Sequence, residues 1–225
     1  MRRTGGPRAA RLAFAVAVAL LAALVLAQLV LPRIAASRIS SRIGRYGRVE
    51  HVAVSAWPAV KLLWGSADTV HVRTGALHLS PKQAASLLWE GRGVAEMDIA
   101  AAAVRVGPLA LTGAILRKRG AQLEAQADTT QAAADAALGA GEQVRLLSSV
   151  GGRVRVAVAG SLFGVGATVP AVAEAKDGRL VAHAEGFLLE GIELTLFADP
   201  HVHVEGVQAG AERGGYRLAM SALLG

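Results

Sequence analysis

One apolar run near the start of the chain limits what the rest of the molecule can be. Residues 12–31 read LAFAVAVALLAALVLAQLVL, and Gln28 is the only strongly polar side chain among them. As a helix that rises about 1.5 Å per residue, this run matches the roughly 30 Å hydrocarbon core of a bilayer. We therefore predict a transmembrane anchor or an uncleaved signal over 12–31, and a cleaved signal peptide is the competing interpretation.

The charges around this run predict its orientation. Arg2, Arg3, Arg8 and Arg11 precede it, so residues 1–11 are predicted to be a basic tail that stays in the cytoplasm. The remaining chain then lies on the extracytoplasmic, periplasmic side of a cell membrane that is crossed once. The basic residues after the run are nearly balanced by the 17 acidic ones, and no motif for reading nucleic acid accompanies them. Nucleic acid is therefore not an expected partner.

The segment 32–48, PRIAASRISSRIGRYGR, carries arginines and no acidic residue. Arg38, Arg42 and Arg45 recur at helical spacing, and the isoleucines occupy another face. This pattern predicts a juxtamembrane basic amphipathic helix whose arginines face anionic phospholipid headgroups, each worth about 1 kcal/mol near such a surface. A solvated stalk is the alternative.

From residue 49 to 225 the dominant sequence period is two, which is typical of antiparallel strands with one wet face. Near Gly75 the apolar phase changes, which predicts a β-bulge or a sharp bend. Many turn glycines favour strong curvature. Alternating stretches predict strands around 52–54, 70–79, 153–158 and 192–196, and further ones at 94–106, 109–118, 121–128, 164–172, 178–185, 201–208 and 215–220.

Two helical segments interrupt this pattern. Ser80 and Pro81 offer an N-cap and a first-turn proline for a helix that continues to Glu90. A second helical stretch is predicted over 129–150, broken near Gly139 and packed on the sheet through an apolar stripe. The predicted fold class is α+β, a strongly curved antiparallel sheet packed with helices and preceded by one transmembrane helix.

The sequence offers few motifs for catalysis, cofactor binding or metal binding. The chain has no cysteine, which removes disulfides, thiol nucleophiles and zinc-thiolate sites. No nucleophile elbow, dinucleotide-binding loop or Walker loop is present. The stretch DPHVHVEGV could place Asp199, His201, His203 and Glu205 on one strand face, which suits a divalent metal, but the wet face of an edge strand explains the same pattern. We expect no catalytic residues, no metal and no cofactor.

The stretch SAWPAVKLLWG concentrates apolar side chains in a chain that is poor in aromatic residues. It holds two of the three tryptophans, and Pro58 prevents the preceding strand from continuing. Indoles favour membrane-water boundaries. The expected lipid-binding residues here are Trp57, Pro58, Leu62, Leu63 and Trp64. The alternative is that both indoles fill the protein's own core.

The order of these features resembles the LmeA-like phospholipid-binding family of actinobacterial envelope proteins. The resemblance is to an opening pattern of helix, alternating strand, aromatic-proline turn, glycine and second alternating strand. Here that pattern is carried by Val52, Val54, Trp57, Pro58, Gly65, Val70 and Val72, and GGRVRVAVAGSLFGVGATVPAVAEAKDGRL is similar to the family's second half. The resemblance implies a periplasmic, phospholipid-binding domain with an elongated lipid groove like that of tubular lipid-binding domains.

The predicted function is therefore non-catalytic phospholipid binding by a membrane-anchored, extracytoplasmic domain of residues 49–225 that supports envelope lipid or lipoglycan assembly. The expected partners are an anionic phospholipid and the membrane, with a further envelope protein as an option. One alternative is a scaffold or assembly module that binds another envelope protein. Another is a metal-dependent hydrolase built on His201 and His203.

Overall fold

The computed structural model describes the backbone of residues 7–139, 141–162, 165–185 and 193–225, and its side chains from Val25 onward except at 161, 162 and 165. The helices are α1 (Pro7–Ile43), α2 (Pro81–Glu90) and α3 (Gln131–Leu138), with short 3-10 helices at Ala59–Trp64 and Gly91–Gly93. The strands are β1 (Gly47–Ser55), β2 (Ala67–Leu79), β3 (Val94–Val106), β4 (Leu109–Arg119), β5 (Gln122–Thr130), β6 (Gln143–Val150), β7 (Arg153–Leu162), β8 (Val165–Lys176), β9 (Arg179–Ala184), β10 (Glu193–Phe197), β11 (Val202–Glu212) and β12 (Gly215–Leu224).

These strands form two sheets. The larger has seven strands in the order β1-β2-β3-β4-β5-β12-β11, and the smaller has five in the order β10-β9-β8-β7-β6. The predicted α+β class with a curved sheet agrees with this architecture. The predicted antiparallel pairing was wrong at one place, because β2 and β3 run parallel. Helix α2 makes this pairing possible, since parallel neighbours need a crossover rather than a hairpin.

The two faces of the seven-stranded sheet differ in character. Its apolar face carries Val70, Val72 and Met97, and Ile39 and Ile43 of α1 pack on these residues. Helix α2 covers a second part of the same face. The five-stranded sheet covers a third part, next to β11. The helices and the smaller sheet therefore lie on one side of the larger sheet and leave the other side to solvent.

Local signals in the sequence are confirmed at several points. The hydroxyl of Ser80 accepts a hydrogen bond from Gln83 N, and the Gln83 side chain caps Ser80 N in return, so α2 begins with a capping box. The bulge expected near Gly75 is present as a register shift between the pairs Val49–Thr74 and Gly47–Leu77.

The predicted helix over 129–150 is only partly confirmed. Helix α3 ends at Leu138, and Gln143–Val150 is strand β6, which pairs with β7. Gly139 and Gly141 have positive φ angles, so the helix cannot continue through them. The supposed apolar stripe is not packed either, since Leu147 and Val150 are exposed.

The N-terminal region is one long helix. Helix α1 runs through Pro32 without interruption and ends at Ile43, so the separate helix predicted for 32–48 is its last part, and Gly47 and Arg48 already belong to β1. In the portion of the chain whose side chains are described, no helix has the length and apolar character needed to cross a membrane. The predicted span 12–31 lies mostly outside that portion, and residues 1–6 of the predicted tail lie outside the described residues.

Candidate functional site

The connection between β1 and β2 exposes several large apolar side chains, and we call residues 56–65 the Trp loop. The side chains of Trp57, Leu63 and Trp64 are 69%, 65% and 75% exposed, and Pro58 is exposed beside them. Leu62 points the other way and packs on the core next to β1 and β2. Four of the five lipid-binding residues predicted here therefore face outward. The competing interpretation, that both indoles fill the core, does not fit this structure.

Two polar side chains from outside the Trp loop hold its backbone in place. The carboxylate of Asp68 accepts a hydrogen bond of 2.5 Å from Trp57 N and lies 3.2 Å from the ammonium of Lys61. The bond from Trp57 N, followed by the one from Lys61, lowers the pKa of Asp68. The carboxylate therefore stays ionised and acts as a fixed acceptor under the loop.

The second contact joins the Trp loop to the apolar run of α1. Gln28 Oε1 accepts a 2.5 Å hydrogen bond from Ala59 N, and Ala59 is buried. This gives a physical role to the one strongly polar residue of the run. On the same part of α1, apolar side chains are exposed at Val25, Leu26, Leu29, Val30 and Ile34. The exposed indoles and these side chains lie at the same level of the molecule.

Chain lengths agree with this placement. From Gln28 to Ile43, α1 rises about 22 Å, and β1 covers about 26 Å from Gly47 to Ser55. The turn at Gly44–Tyr46 reverses the chain between them. Strand β1 therefore runs back along α1 and returns the chain to the level of Gln28, which is why two distant sequence segments meet at the Trp loop.

The predicted headgroup-binding arginines lie away from this level. Arg38 is ten residues past Gln28, about 15 Å along the helix axis. Arg42 forms a 2.5 Å ion pair with Glu90, and Arg38 and Arg45 are exposed. Arg33 is exposed and closer to the Trp loop, although it was not among the predicted headgroup-binding residues. A headgroup role for Arg38, Arg42 and Arg45 stays a prediction.

The possible metal ligands do not come together on one strand face. Strand β11 begins at Val202, so Asp199 and His201 lie in the preceding turn, where His201 N donates to Asp199 Oδ1 at 2.9 Å. The His201 ring lies 4.0 Å from that of Trp89. Across the described residues, no group of three or more metal-ligating side chains is found.

Lys118 is a buried charge that the sequence pattern did not reveal. It lies on the apolar face of the sheet and is 1% exposed. Its ammonium donates to the carbonyl oxygens of Val94 and Arg92, and burial lowers its pKa. It holds the chain at the start of β3, so its role is structural. The period of two along β4 places Arg117 and Arg119 on the open face and Lys118 with Leu116 on the other, but three consecutive basic residues in the sequence do not show that Lys118 is covered.

The open face of the seven-stranded sheet carries a groove of about 930 Å³. Its lining includes a set of cationic or protonatable side chains together with two carboxylates, and we call it the charged groove: His51, His71, Arg73, Asp98, Arg117, Arg119 and Glu124. A few apolar residues, among them Ile115, complete the lining. The groove is open and mixes charged with apolar side chains, whereas an apolar cleft was expected for lipid tails.

Comparison with known proteins gives no relative for this arrangement, since the chain matches no protein-family model, no curated protein and no solved structure.

Proposed function

We propose that this protein is a membrane-anchored, extracytoplasmic phospholipid-binding protein that touches the bilayer through its Trp loop and has no catalytic role of its own. The observation that carries the proposal is the shared level of two exposed apolar surfaces. The side chains of Trp57 and Trp64 stand beside the apolar run of α1, and Gln28 joins the two.

The dimensions suit a bilayer boundary. If 12–31 spans the hydrocarbon core, Gln28 lies three residues, or about 5 Å, from the end of the span. The Trp loop then stands where hydrocarbon meets headgroups, which is the region that indoles prefer. Exposed apolar patches in water are unfavourable, by about 25 cal/mol for each Å² that a membrane would cover. Membrane contact gives this patch a partner.

The charged groove does not suit acyl chains. Apolar tails bound against Arg73, Asp98 and Arg117 would force these groups to give up water without new partners. The proposal therefore places lipid at the Trp loop. The tubular lipid-binding architecture, and a role in envelope lipid or lipoglycan assembly, rest on the resemblance to the LmeA-like family and stay predictions.

Lipid retention by the full chain tests the proposal. We would purify the protein from membranes in mild detergent and count bound phospholipid by native mass spectrometry. The wild type should keep phospholipid, and Trp57→Ala with Trp64→Ala should lose most of it. The matched control is Leu147→Ala with Val150→Ala, which removes two exposed apolar side chains from the five-stranded sheet and should leave the lipid count unchanged.

A different result would favour the rival function. A folded wild-type protein that retains no phospholipid, or a Trp variant that retains as much as the wild type, would contradict lipid binding at the Trp loop. The exposed apolar surface would then fit the scaffold alternative, in which another envelope protein covers it.

A further inference from the structure

The charged groove begins at the same end of the sheet as the Trp loop. Strand register shows this directly. The last row of the sheet before the Trp loop contains Ser55, Thr69, Glu96 and Arg119. The next row contains His71, Asp98, Arg117 and Glu124, and the third contains His51 and Arg73. Because alternate residues along a strand are about 7 Å apart, the three arginines step away from the Trp loop at about that interval.

Within this groove the arginines are not equally neutralised. Asp98 lies 3.3 Å from Arg119 and 3.4 Å from the ring nitrogen of His71. In the part of the chain that the structure describes, Arg73 and Arg117 have no carboxylate oxygen within 4.0 Å. Glu124 faces Arg117 in register but forms no ion pair with it. Two guanidinium groups on the same open face are thus left to solvent.

We infer that the charged groove binds the phosphate-bearing headgroup of an anionic phospholipid in the bilayer on which the protein stands, with Arg117 and Arg73 as its principal contacts. This inference rests on the proposed function, because the Trp loop sets the level of the bilayer. Each headgroup layer is about 5–8 Å thick, which matches the position of Arg117 one row beyond Arg119. Arg73 lies one row, about 7 Å, further from the Trp loop, so its side chain would contact the phosphate from the water-facing side. Arginine suits the task, since its planar fork donates two parallel hydrogen bonds to a phosphate.

Lipid selectivity of the full chain tests this site. We would place the protein in nanodiscs of phosphatidylcholine with a minority of phosphatidylglycerol and identify the lipids that remain bound after transfer to native mass spectrometry. The wild type should enrich phosphatidylglycerol. Arg73→Gln with Arg117→Gln should reduce that enrichment at least several-fold while the total number of bound lipids stays the same.

The control makes the same arginine-to-glutamine change at one position outside the charged groove. Arg105 is exposed near the far end of β3, and Arg105→Gln should leave the enrichment intact. Equal loss of enrichment in the Arg105 variant and the double variant would overturn the site, since general charge would explain it. Wild-type protein that holds lipid without preference would overturn the site and leave the proposed function standing.

The headgroup site can fail alone or together with the proposed function, and the behaviour of the wild type distinguishes these two cases. If the wild type holds no lipid at all, the proposed function fails first and the headgroup assignment fails with it. In that case titration with glycerol 1-phosphate, followed by the NMR signals of the arginine side chains, identifies the other source of phosphate. Saturable binding that depends on Arg73 and Arg117 would mean that the groove takes a soluble phosphate ester, which contradicts a lipid headgroup.

Discussion

Two connections on the same sheet treat tryptophan in opposite ways. The first joins β1 to β2 and ends its 3-10 helix with Trp64, which is 75% exposed. The second joins β2 to β3 and carries Trp89 near the end of α2, packed among core residues and against His201 and Arg92. The second connection uses its indole for folding. The first leaves two indoles exposed on the surface, where they add little to folding, and this exposure is the basis of the proposed membrane contact.

The two connections are also held differently. The second is fixed at its start by its own capping box at Ser80 and at its end by Lys118 of β4, which donates to the carbonyls of Arg92 and Val94. The first is fixed from outside, by Gln28 on α1 and Asp68 on β2. The Trp loop is therefore held against α1. If α1 is the membrane anchor that we propose, the loop keeps a set height relative to the bilayer.

The largest expected effect concerns the second connection. Trp89→Ala should lower the free energy of unfolding by about 3 kcal/mol, because it empties a packed site. Trp64→Ala should change it by no more than about 0.5 kcal/mol, as for other exposed positions. Denaturant titration of the full chain in detergent measures both. Equal losses would show that Trp64 is a core residue and would remove the contrast between the connections.

The next effect concerns the buried amine. Lys118→Met should destabilise the protein by about 2 kcal/mol, since the carbonyls of Arg92 and Val94 lose a donor. Burial lowers the pKa of Lys118 from its ordinary value of 10.5, so between the lowered folded-state pKa and 10.5 the unfolded chain binds more protons. Stability from this group should therefore rise with pH through that window.

Unfolding free energies measured across that pH range test whether stability rises with pH as expected. The wild type should show the rise, and Lys118→Met should show a correspondingly flatter curve. A variant whose pH dependence matches the wild type would mean that Lys118 is solvated.

A smaller effect is expected at Gln28, whose side chain joins the Trp loop to α1. Gln28→Leu should cost about 1 kcal/mol, because Ala59 N loses its acceptor. The change should be local, so amide exchange should speed up over residues 59–66 and stay the same over α2. Hydrogen-deuterium exchange of the full chain reads both regions at once. Uniform acceleration would indicate that the two connections unfold together.

The smallest effect is expected at Asp68. Asp68→Ala should raise the exchange rate of Trp57 N and leave global stability close to the wild type, since the carboxylate is exposed. The pKa of Asp68 is lowered, so its contribution is present above the ordinary value of 3.8 and is lost as pH falls through the lowered folded-state pKa. Exchange of Trp57 N that does not respond to the substitution at neutral pH would remove Asp68 as the loop's second support.

Local rules of the sequence predicted much of the fold. The cap at Ser80, the bulge near Gly75 and most strands depend on residues within a few positions of each other, so a short window contains their cause. Strand β6 was not predicted, because the apolar spacing of Val144, Leu147 and Val150 also suits a helix. This segment is a strand because it pairs with β7. The parallel β2–β3 pair and the division into two sheets depend on long-range pairing that no short window holds.

The candidate site also has one part that the sequence predicted and another that depends on long-range contacts. Composition and the turn at Pro58 marked the Trp loop, because a cluster of indoles is visible in the sequence. The supports at Gln28 and Asp68 come from other elements, and only the reversal of the chain after α1 brings Gln28 to the loop. The arginines of the charged groove come from β2 and β4, which are not neighbours in the sheet, so their alignment became visible only with the strand register.

Depth-resolved fluorescence quenching tests membrane contact by the Trp loop most directly. The full chain would be placed in nanodiscs whose phospholipids carry bromine near the top of the acyl chains, and its tryptophan emission compared with that of Trp57→Phe with Trp64→Phe, which retains only Trp89. We predict strong quenching in the wild type and little in the variant. Equally weak quenching in both proteins would show that the Trp loop does not reach the bilayer, and the account would be contradicted.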